Sequence, residues 1–278
     1  MRDIKIARRL SQAERPEQTL PKIAVLHIPH SSQYVPASER QAIRLNDAAL
    51  NSELLRMTDA FTDELFPLTL VEAGRVVFPI SRLVCDVERF PLDEDEPMAT
   101  RGMGVIYTRT SLGEVLRAQP NAADRRSLTE RWYWPHHSML ERMVNDVAAR
   151  SGICLIVDCH SFPSVALPFE LDQSTHRAEI CIGTDAFHTP AAVRDAIVAA
   201  ANEEGYSVAL DAPFAGALVP LASYRKNKRI SSIMIEVNRR LYMDEHSGQK
   251  NQGFEKVSAA VGRLIVTAAE AAAQQSPT

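Results

Sequence analysis

The chain has few cysteines, and their spacing excludes two classes of structure. The four of them, Cys85, Cys154, Cys159 and Cys181, contain no Cys-x-x-Cys pair and lie in apolar, strand-like segments. A disulfide scaffold and a cysteine-rich metal site are therefore excluded, and buried reduced thiols in a cytoplasmic protein are expected. Cys159 precedes His160, but neighbours on a strand point to opposite faces, so the two do not form a nucleophile and its base.

Long hydrophobic runs are also missing. No stretch approaches the roughly 18 apolar residues that span a bilayer, and the first ten residues lack the features of a signal peptide. The formal net charge of -4 argues against a nucleic-acid surface. The chain has no P-loop, no dinucleotide glycine fingerprint and no Gly-x-Ser-x-Gly elbow. We expect a cytoplasmic protein that acts on a small molecule, without a nucleic-acid or membrane partner; a homo-oligomer is compatible with the sequence.

Strands and helices alternate along the chain. The predicted strands are 22–28, 68–72, 75–80, 105–107, 153–158, 179–183, 207–210 and 230–237; the predicted helices are 46–66 (one helix or a pair), 122–150 with a break near Pro135, 190–204 and 252–273. This alternation predicts an α/β fold with a mostly parallel sheet. The length fits one large core, with residues 1–20 as an N-terminal arm and 21–278 as a single α/β domain.

Two histidines follow buried strands at equivalent positions. His30 comes just after the run at 23–28, and His160 just after the run at 154–158. Ligands in open α/β sheets bind at the carboxyl ends of the strands, so the pair indicates a metal or catalytic site. A structural role for each histidine is the alternative. Asp158 lies on the same strand face as His160 and could fix its tautomer, or it could cap a loop.

A catalytic zinc site needs a third protein ligand and an open position for water. Asp59 and Asp63 are candidates because they lie four residues apart, on one face of the predicted helix 46–66. A solvated helix face is the alternative for this pair.

Glu236 interrupts the aliphatic strand 230–237. An ionised carboxylate in such a run is costly unless it is paired or used, and it lies near the same sheet edge as His160. We therefore expect Glu236 to be a general base, with a structural ion pair to Arg239 or Arg82 as the alternative.

Arginines are the natural ligands of a substrate carboxylate, because the guanidinium group binds it with two hydrogen bonds. The segment 81–89 carries Arg82, Asp86, Glu88 and Arg89, and the first three would share one face if the segment were a strand. The basic stretch 224–229 is expected to be a solvated loop.

Taken together, these segments resemble the N-formylglutamate amidohydrolase family. The matching pieces occur in family order over about residues 22–245, at 29–31, 58–66, 81–89, 133–137, 158–161 and 235–242. The family is similar to zinc carboxypeptidases and aspartoacylases. The resemblance implies a three-layer, phosphorylase/hydrolase-like α/β fold with a mixed, mostly parallel sheet.

The resemblance also implies the roles of the site residues. One Zn²⁺ would be held by His30, His160 and an acid. The carboxypeptidase-type His-x-x-Glu is absent, because Gln33 stands three residues after His30, so Asp59 is expected as the acidic ligand in preference to Asp63. Glu236 would be the general base. The remaining roles are substrate binding by Arg82, Arg89, Asn238 and Arg239, and support of the ligands by Asp158 and Asp63.

The predicted reaction is hydrolysis of the N-acyl amide, N-formyl included, of a small acidic amino acid such as N-formylglutamate. A non-catalytic small-molecule sensor on the same scaffold is the alternative from another class. A metal-free esterase is a second alternative, but Ser161 adjoins His160 on the strand and is not in register to bond to it.

Overall fold

A six-stranded sheet runs through the part of the protein that the computed structural model describes, residues 20–275. Its strands are β1 (Ala24–Ile28), β2 (Glu72–Val77), β3 (Cys154–Phe162), β4 (Ile180–Gly183), β5 (Val208–Leu210) and β6 (Ile230–Asn238). They lie in the order β2-β1-β3-β6-β4-β5, and only the β4–β6 pairing within this sheet is antiparallel. A small hairpin, β7 (Met243–Asp244) and β8 (Gln249–Lys250), lies outside this sheet. The predicted α/β fold with a mixed, mostly parallel sheet is confirmed.

The centre of the sheet is formed by the two longest apolar runs. β3 and β6 pair in parallel over all nine residues, from Cys154 opposite Ile230 to Phe162 opposite Asn238. Every residue of β3 is buried, as is nearly every residue of β6. Strands that are covered on both faces are aliphatic throughout because neither face meets water.

Seven α-helices lie among and around these strands in residues 20–275. They are α1 (Ala37–Arg40), α2 (Asp47–Met57), α3 (Thr62–Leu65), α4 (Ala122–Leu128), α5 (Trp134–Ser151), α6 (Ala191–Glu203) and α7 (Phe254–Ala273). α5 packs on β1, β2 and β3, whereas α6 and α7 pack on each other and on β4, β5 and β3. The apolar stripe of α7 buries Val261, Leu264 and Ile265 in the main core, as expected of an amphipathic helix on a sheet.

The predicted helices are present with two informative breaks. The segment 46–66 forms a pair, α2 and α3, because Phe61 takes a left-handed conformation (φ 64°) between them. Near Pro135 the chain passes through a π-helical turn, Thr129–Tyr133, before α5 begins. Proline lacks an amide hydrogen, and it is tolerated in the first turn of a helix.

Three strand predictions are wrong. In place of the predicted strands 68–72 and 75–80 there is one strand, β2, which runs from Glu72 through Gly74 to Val77 and leaves 68–71 and 78–80 outside it; a side chain at Gly74 would meet the Met143 sulfur at 2.7 Å. Residues 105–107 form no strand, and Val105 and Tyr107 are buried in loop structure. The segment 81–89 consists of turns, so Arg82, Asp86 and Glu88 do not share a strand face.

The topology brings the predicted site to one edge of the sheet. β1, β3 and β6 are neighbours and parallel, so their carboxyl ends lie side by side. His160 on β3 stands opposite Glu236 on β6, and His27 on β1 stands opposite Asp158 on β3. His30 follows β1 by two residues.

The predicted N-terminal arm lies outside the described residues except for Leu20, which packs against the main core. No helix within residues 20–275 combines the length and the apolar character that a bilayer crossing requires.

Candidate active site

A cavity of about 360 Å³ opens at the carboxyl ends of β1, β3 and β6. Its floor includes His30, His160 and Glu236, and the predicted Arg82, Arg89 and Arg239 also line it. Cavities of this size at the end of a sheet are typical of small-molecule sites. The polar groups on its floor are therefore the candidate catalytic and binding groups.

Three potential metal-binding atoms meet on this floor. They belong to His30, Glu88 and His160, whose ligand atoms all lie within 4.8 Å of one another. Nε2 of His160 is 3.0 Å, and Nδ1 of His30 is 3.8 Å, from Oε2 of Glu88. Both of these nitrogens and the second Glu88 oxygen are buried and unpartnered. Ligands on a tetrahedral zinc lie about 3.3 Å apart, so these separations suit a divalent ion.

The opposite nitrogen of each histidine ring is held by a carboxylate. Nε2 of His30 donates to Asp86 at 2.9 Å, and Nδ1 of His160 donates to Asp59 at 2.9 Å. With a metal bound, a carboxylate in this position would fix the tautomer and leave the other nitrogen free to bind the ion. Those nitrogens, Nδ1 of His30 and Nε2 of His160, both face Glu88.

The group of three contains Glu88 where the sequence analysis predicts Asp59. Asp59 instead bridges Nδ1 of His160 and Nη2 of Arg239, the latter at 3.0 Å, and its carboxylate is 3.7 Å from Nδ1 of His30. Burial opposes ionisation of Asp59, but the hydrogen bond from His160 and the nearby His30 outweigh it and hold its pKa well below the usual range. Its contacts are those of a residue that orients a histidine.

Glu88 is not predicted as a candidate ligand because its position depends on a turn. It lies in the irregular segment 81–89, where side-chain direction does not follow from a period. The sequence feature that could have identified Glu88 is its place in a charged segment, two residues after Asp86 and directly before Arg89.

A second buried group adjoins the first. Nδ1 of His27 lies 2.7 Å from Asp158, and its Nε2 lies 2.8 Å from Nε2 of His136. Burial disfavours the charged His27, but bonds to Asp158 and Glu88 outweigh it and raise its pKa to about 9. Burial lowers the pKa of His136 to about 2, and the nearby His27 charge adds to this effect. His27 is thus protonated on both ring nitrogens, and it donates one N–H to Asp158 and the other to His136.

Asp158 also touches the first group. Its Oδ1 lies 3.3 Å from Nε2 of His160, and its Oδ2 accepts from the backbone N–H of Leu218. Asp158 therefore contacts His160 as the strand geometry predicts, and it is bonded to His27 as well. The contacts that His27 makes with Asp158 and His136 are not predicted from the sequence.

Glu236 is buried, with 6% of its surface exposed, and its Oε2 has no hydrogen-bond partner. Within residues 20–275 it forms no ion pair, so the alternative of a structural pair with Arg239 or Arg82 has no counterpart there. Burial raises its pKa to about 8; the nearby Asp59 and Glu88 add to the shift, and His160 opposes it. A carboxylate with these properties next to His160 is suited to take up a proton near neutral pH.

The predicted arginines differ in how many of their hydrogen-bond donors already have partners within the protein. Arg82 binds Asp86 through Nε and Nη2, and Arg239 donates to Arg56, Asp59 and Ser161. Arg89 lines the cavity; its buried Nε is 3.6 Å from the Asp86 carboxylate and forms no hydrogen bond. Arg89 therefore keeps the most donors for an anion in the cavity.

Two predicted site residues lie elsewhere. Asn238 does not line the cavity; its amide donates to the Ala178 carbonyl and accepts from the Arg240 N–H, which starts the turn after β6. Asp63 is exposed and forms no ion pair within the described residues. The i, i+4 argument that placed it near Asp59 fails because the chain breaks at Phe61 between α2 and α3.

Ser161 is not arranged as a nucleophile. Its hydroxyl accepts from Arg239 and lies 2.8 Å from the Tyr242 hydroxyl. No bond from it to a histidine occurs in residues 20–275, which agrees with the strand register that argues against a metal-free esterase.

Comparisons with known proteins find similarity over most of the chain. The family model described as N-formylglutamate amidohydrolase matches residues 23–243. A crystal structure of N-formylglutamate amidohydrolase from Ralstonia eutropha JMP134 is similar, with a TM-score of 0.77 and 22% identity over 91% of this chain and 96% of that chain. A gene product from Agrobacterium tumefaciens is similar with a TM-score of 0.64 and 19% identity over 90% of each chain. No curated protein matches the chain. At these identities the two structures establish a shared fold.

Proposed function

The chain belongs to the N-formylglutamate amidohydrolase family, and we propose that it is a metal-dependent amidohydrolase. Its substrate would be the N-acyl amide, N-formyl included, of a small acidic amino acid such as N-formylglutamate. The reaction adds water across the C–N bond and releases a carboxylic acid and an amine. The protein would work in the cytoplasm.

One observation carries the proposal. Nδ1 of His30, Nε2 of His160 and Oε1 of Glu88 are buried without a hydrogen-bond partner, and the three residues each offer a ligand atom within 4.8 Å of the others. Buried polar atoms are almost always paired, so unpaired atoms on three neighbouring residues call for an occupant. Two histidines and one carboxylate are a ligand set that catalytic zinc uses, which makes Zn²⁺ the preferred ion.

His30 would hold the metal through Nδ1, His160 through Nε2, and Glu88 through its carboxylate. A divalent ion in such a site supplies a Lewis acid for the amide carbonyl and lowers the pKa of water. Asp86 and Asp59 keep the two imidazoles in the required tautomers. Residues in that position typically change metal affinity by about 10–100-fold when they are removed.

Glu236 would act as the general base. Its raised pKa makes it a stronger base than an exposed carboxylate, and its free Oε2 is available to the cavity. It would take a proton from the attacking water and return it to the leaving nitrogen, so that the amine departs neutral. Proton transfer of this kind contributes about 10²–10⁴-fold to the rate.

Arg89 would bind a substrate carboxylate, because its donors are the least occupied. Arg82 lines the same wall, and its remaining donors could assist. Arg239 is bonded to Asp59 and Ser161, so its part would be to position Asp59 and, through it, His160.

The experiment is a metal analysis combined with an activity assay. Purified protein should carry about one equivalent of zinc, and it should release glutamate from N-formyl-L-glutamate. A chelator should abolish the activity, and added Zn²⁺ should restore it. His160→Ala should lose both the metal and the activity, whereas Glu94→Gln, a change at an exposed carboxylate, should keep both.

A result of no metal and no hydrolysis would overturn the proposal. Binding of an N-acyl amino acid without turnover by the zinc-loaded protein would favour the sensor alternative.

A further inference from the structure

The cavity has two unlike walls. The wall on the β1 and β2 side comes from the segment after β2 and carries Arg82 and Arg89. The wall on the β6 and β4 side comes from residues 214–221, and each of its seven lining residues is apolar: Phe214, Ala215, Gly216, Ala217, Leu218, Val219 and Leu221. Phe162, Met234 and Tyr224 extend this second wall. We call residues 214–221 the apolar wall.

The apolar wall is tied to the sheet at several points. The Leu218 N–H donates to Asp158, and the Leu218 carbonyl accepts from Ser232. The Phe214 carbonyl accepts from the Cys181 thiol. At Gly183 a side chain would lie 2.3 Å from the Gly216 carbonyl, so the wall can approach β4 this closely only because Gly183 has no Cβ. The surface is therefore formed before any ligand arrives.

Two aromatic rings at one end of the wall are fixed as well. Phe162 and Phe214 meet edge to face with centroids 6.0 Å apart, and the Arg177 guanidinium lies 5.7 Å and 5.9 Å from the two rings. Arg177 is buried and is held by Glu170 and the Pro163 carbonyl. Such contacts position the rings with little freedom left.

Two further acidic groups, Asp185 and Glu170, also line the cavity, but one Asp185 oxygen accepts from the Phe187 and His188 N–H groups, and Glu170 accepts from Arg177. The apolar wall thus offers a ligand a large hydrocarbon surface and few free hydrogen-bonding groups. A formyl group, whose carbonyl carbon carries only hydrogen, would leave this surface unused.

From these walls we propose that the enzyme acts on N-acyl acidic amino acids whose acyl group is an unbranched or aromatic chain longer than formyl. The proposal rests on the proposed function, because it orients the same substrate in the same site. A trigonal carbonyl carbon directs its two substituents apart. If the amino-acid carboxylates bind Arg89, the acyl substituent points toward the opposite wall, next to Leu218 and Phe214.

The expected effect follows from hydrocarbon burial. Each methylene that moves from water to the wall contributes a factor of about 4 to affinity. We therefore expect kcat/KM to rise by about fourfold per methylene from N-formyl- to N-hexanoyl-L-glutamate, until the cavity is filled. The assay compares N-formyl-, N-acetyl-, N-butyryl-, N-hexanoyl- and N-benzoyl-L-glutamate on zinc-loaded enzyme.

Two variants change the wall in opposite senses. Leu218→Ala removes hydrocarbon from it, and Ala217→Leu fills the space before it. Both should lower the hexanoyl-to-formyl ratio of kcat/KM by at least about fivefold. Leu70→Ala, at a side chain that is 79% exposed and outside the cavity, should leave the ratio unchanged.

Binding measurements separate this proposal from the proposed function. Titration calorimetry on zinc-loaded Glu236→Gln protein should give N-hexanoyl-L-glutamate an affinity at least about fiftyfold above that of the formyl compound. Hydrolysis in which the formyl compound equals or exceeds the hexanoyl one would overturn the acyl proposal and leave the proposed function intact. If no compound is hydrolysed, the proposed function fails, and the chain-length dependence of binding still decides the acyl proposal.

Discussion

Replacing Glu236 by glutamine tests two claims together: that Glu236 is the general base, and that burial of its charge destabilises the fold. The side chain keeps its shape and loses its basicity. If Glu236 is the base, kcat should fall by about 10²–10⁴-fold while zinc stays bound. The acid limb of the pH profile should disappear as well, because the base must be deprotonated and its pKa is raised above 4.5.

The same change should stabilise the metal-free protein. The pKa of Glu236 is raised from 4.5 to about 8, so folding disfavours its ionised form. The wild type is favoured most below pH 4.5, where both states carry the proton, and it loses stability as pH rises through about 8. At pH 7 the difference corresponds to about 3 kcal/mol, since one pKa unit is about 1.4 kcal/mol.

Urea denaturation of chelator-treated wild type and Glu236→Gln at pH 4.5 and pH 7 measures this difference. From pH 4.5 to pH 7 the free energy of unfolding of Glu236→Gln should rise relative to that of the wild type. For Glu94→Gln this difference should not change. A residue that stabilises through an ion pair predicts the reverse, a loss of about 3–5 kcal/mol at pH 7 with little specific loss of turnover. Near wild-type turnover in a folded, zinc-loaded variant would falsify the assignment of the base.

The other predictions concern the remaining groups of the site. Glu88→Gln should lose zinc, whereas Asp59→Asn should keep it with about 10–100-fold lower affinity; equilibrium dialysis measures both, and the opposite order would restore Asp59 as the ligand. Arg89→Lys keeps the charge but loses the two-point fork, so KM should rise by an amount equivalent to about 1–3 kcal/mol; an unchanged KM would assign Arg89 to structure. Arg82→Lys should instead lower the urea midpoint, because Arg82 neutralises the buried Asp86; a KM effect without loss of stability would contradict this. Arg239→Met should cost about 3–5 kcal/mol, because it leaves the Asp59 carboxylate buried without its arginine; a stability within 1 kcal/mol of wild type would refute the role given to that pair.

The centre of the sheet was predictable because its strands are aliphatic. The runs at 154–158 and 230–237 identify β3 and β6, which are buried on both faces. The prediction stopped at Asp158, although β3 continues to Phe162, because polar residues that face a site look like the end of a strand. The predicted strands 68–72 and 75–80 stop on either side of Gly74 for a related reason: a glycine is typical of a strand end, but Gly74 lies within β2, where Met143 occupies the place of a side chain.

The candidate site was predictable only where strands carry it. His160 and Glu236 lie on paired strands, and their neighbourhood follows from register. Asp59 and Glu88 lie in irregular segments, where one backbone angle decides the direction of a side chain. The left-handed Phe61 invalidates the helical argument for Asp63, and no period in the sequence signals that angle.

The in-register pairing of β3 and β6 has a consequence for how this protein can diversify. The spacing between His160 and Glu236 is set by backbone hydrogen bonds inside the sheet, and no loop takes part in it. The apolar wall belongs to the connection between β5 and β6, which can change in length and sequence without moving either residue. Descendants of one ancestor could therefore acquire new substrates by loop replacement alone. An engineer could do the same, by grafting residues 214–221 between relatives and selecting for a different acyl group.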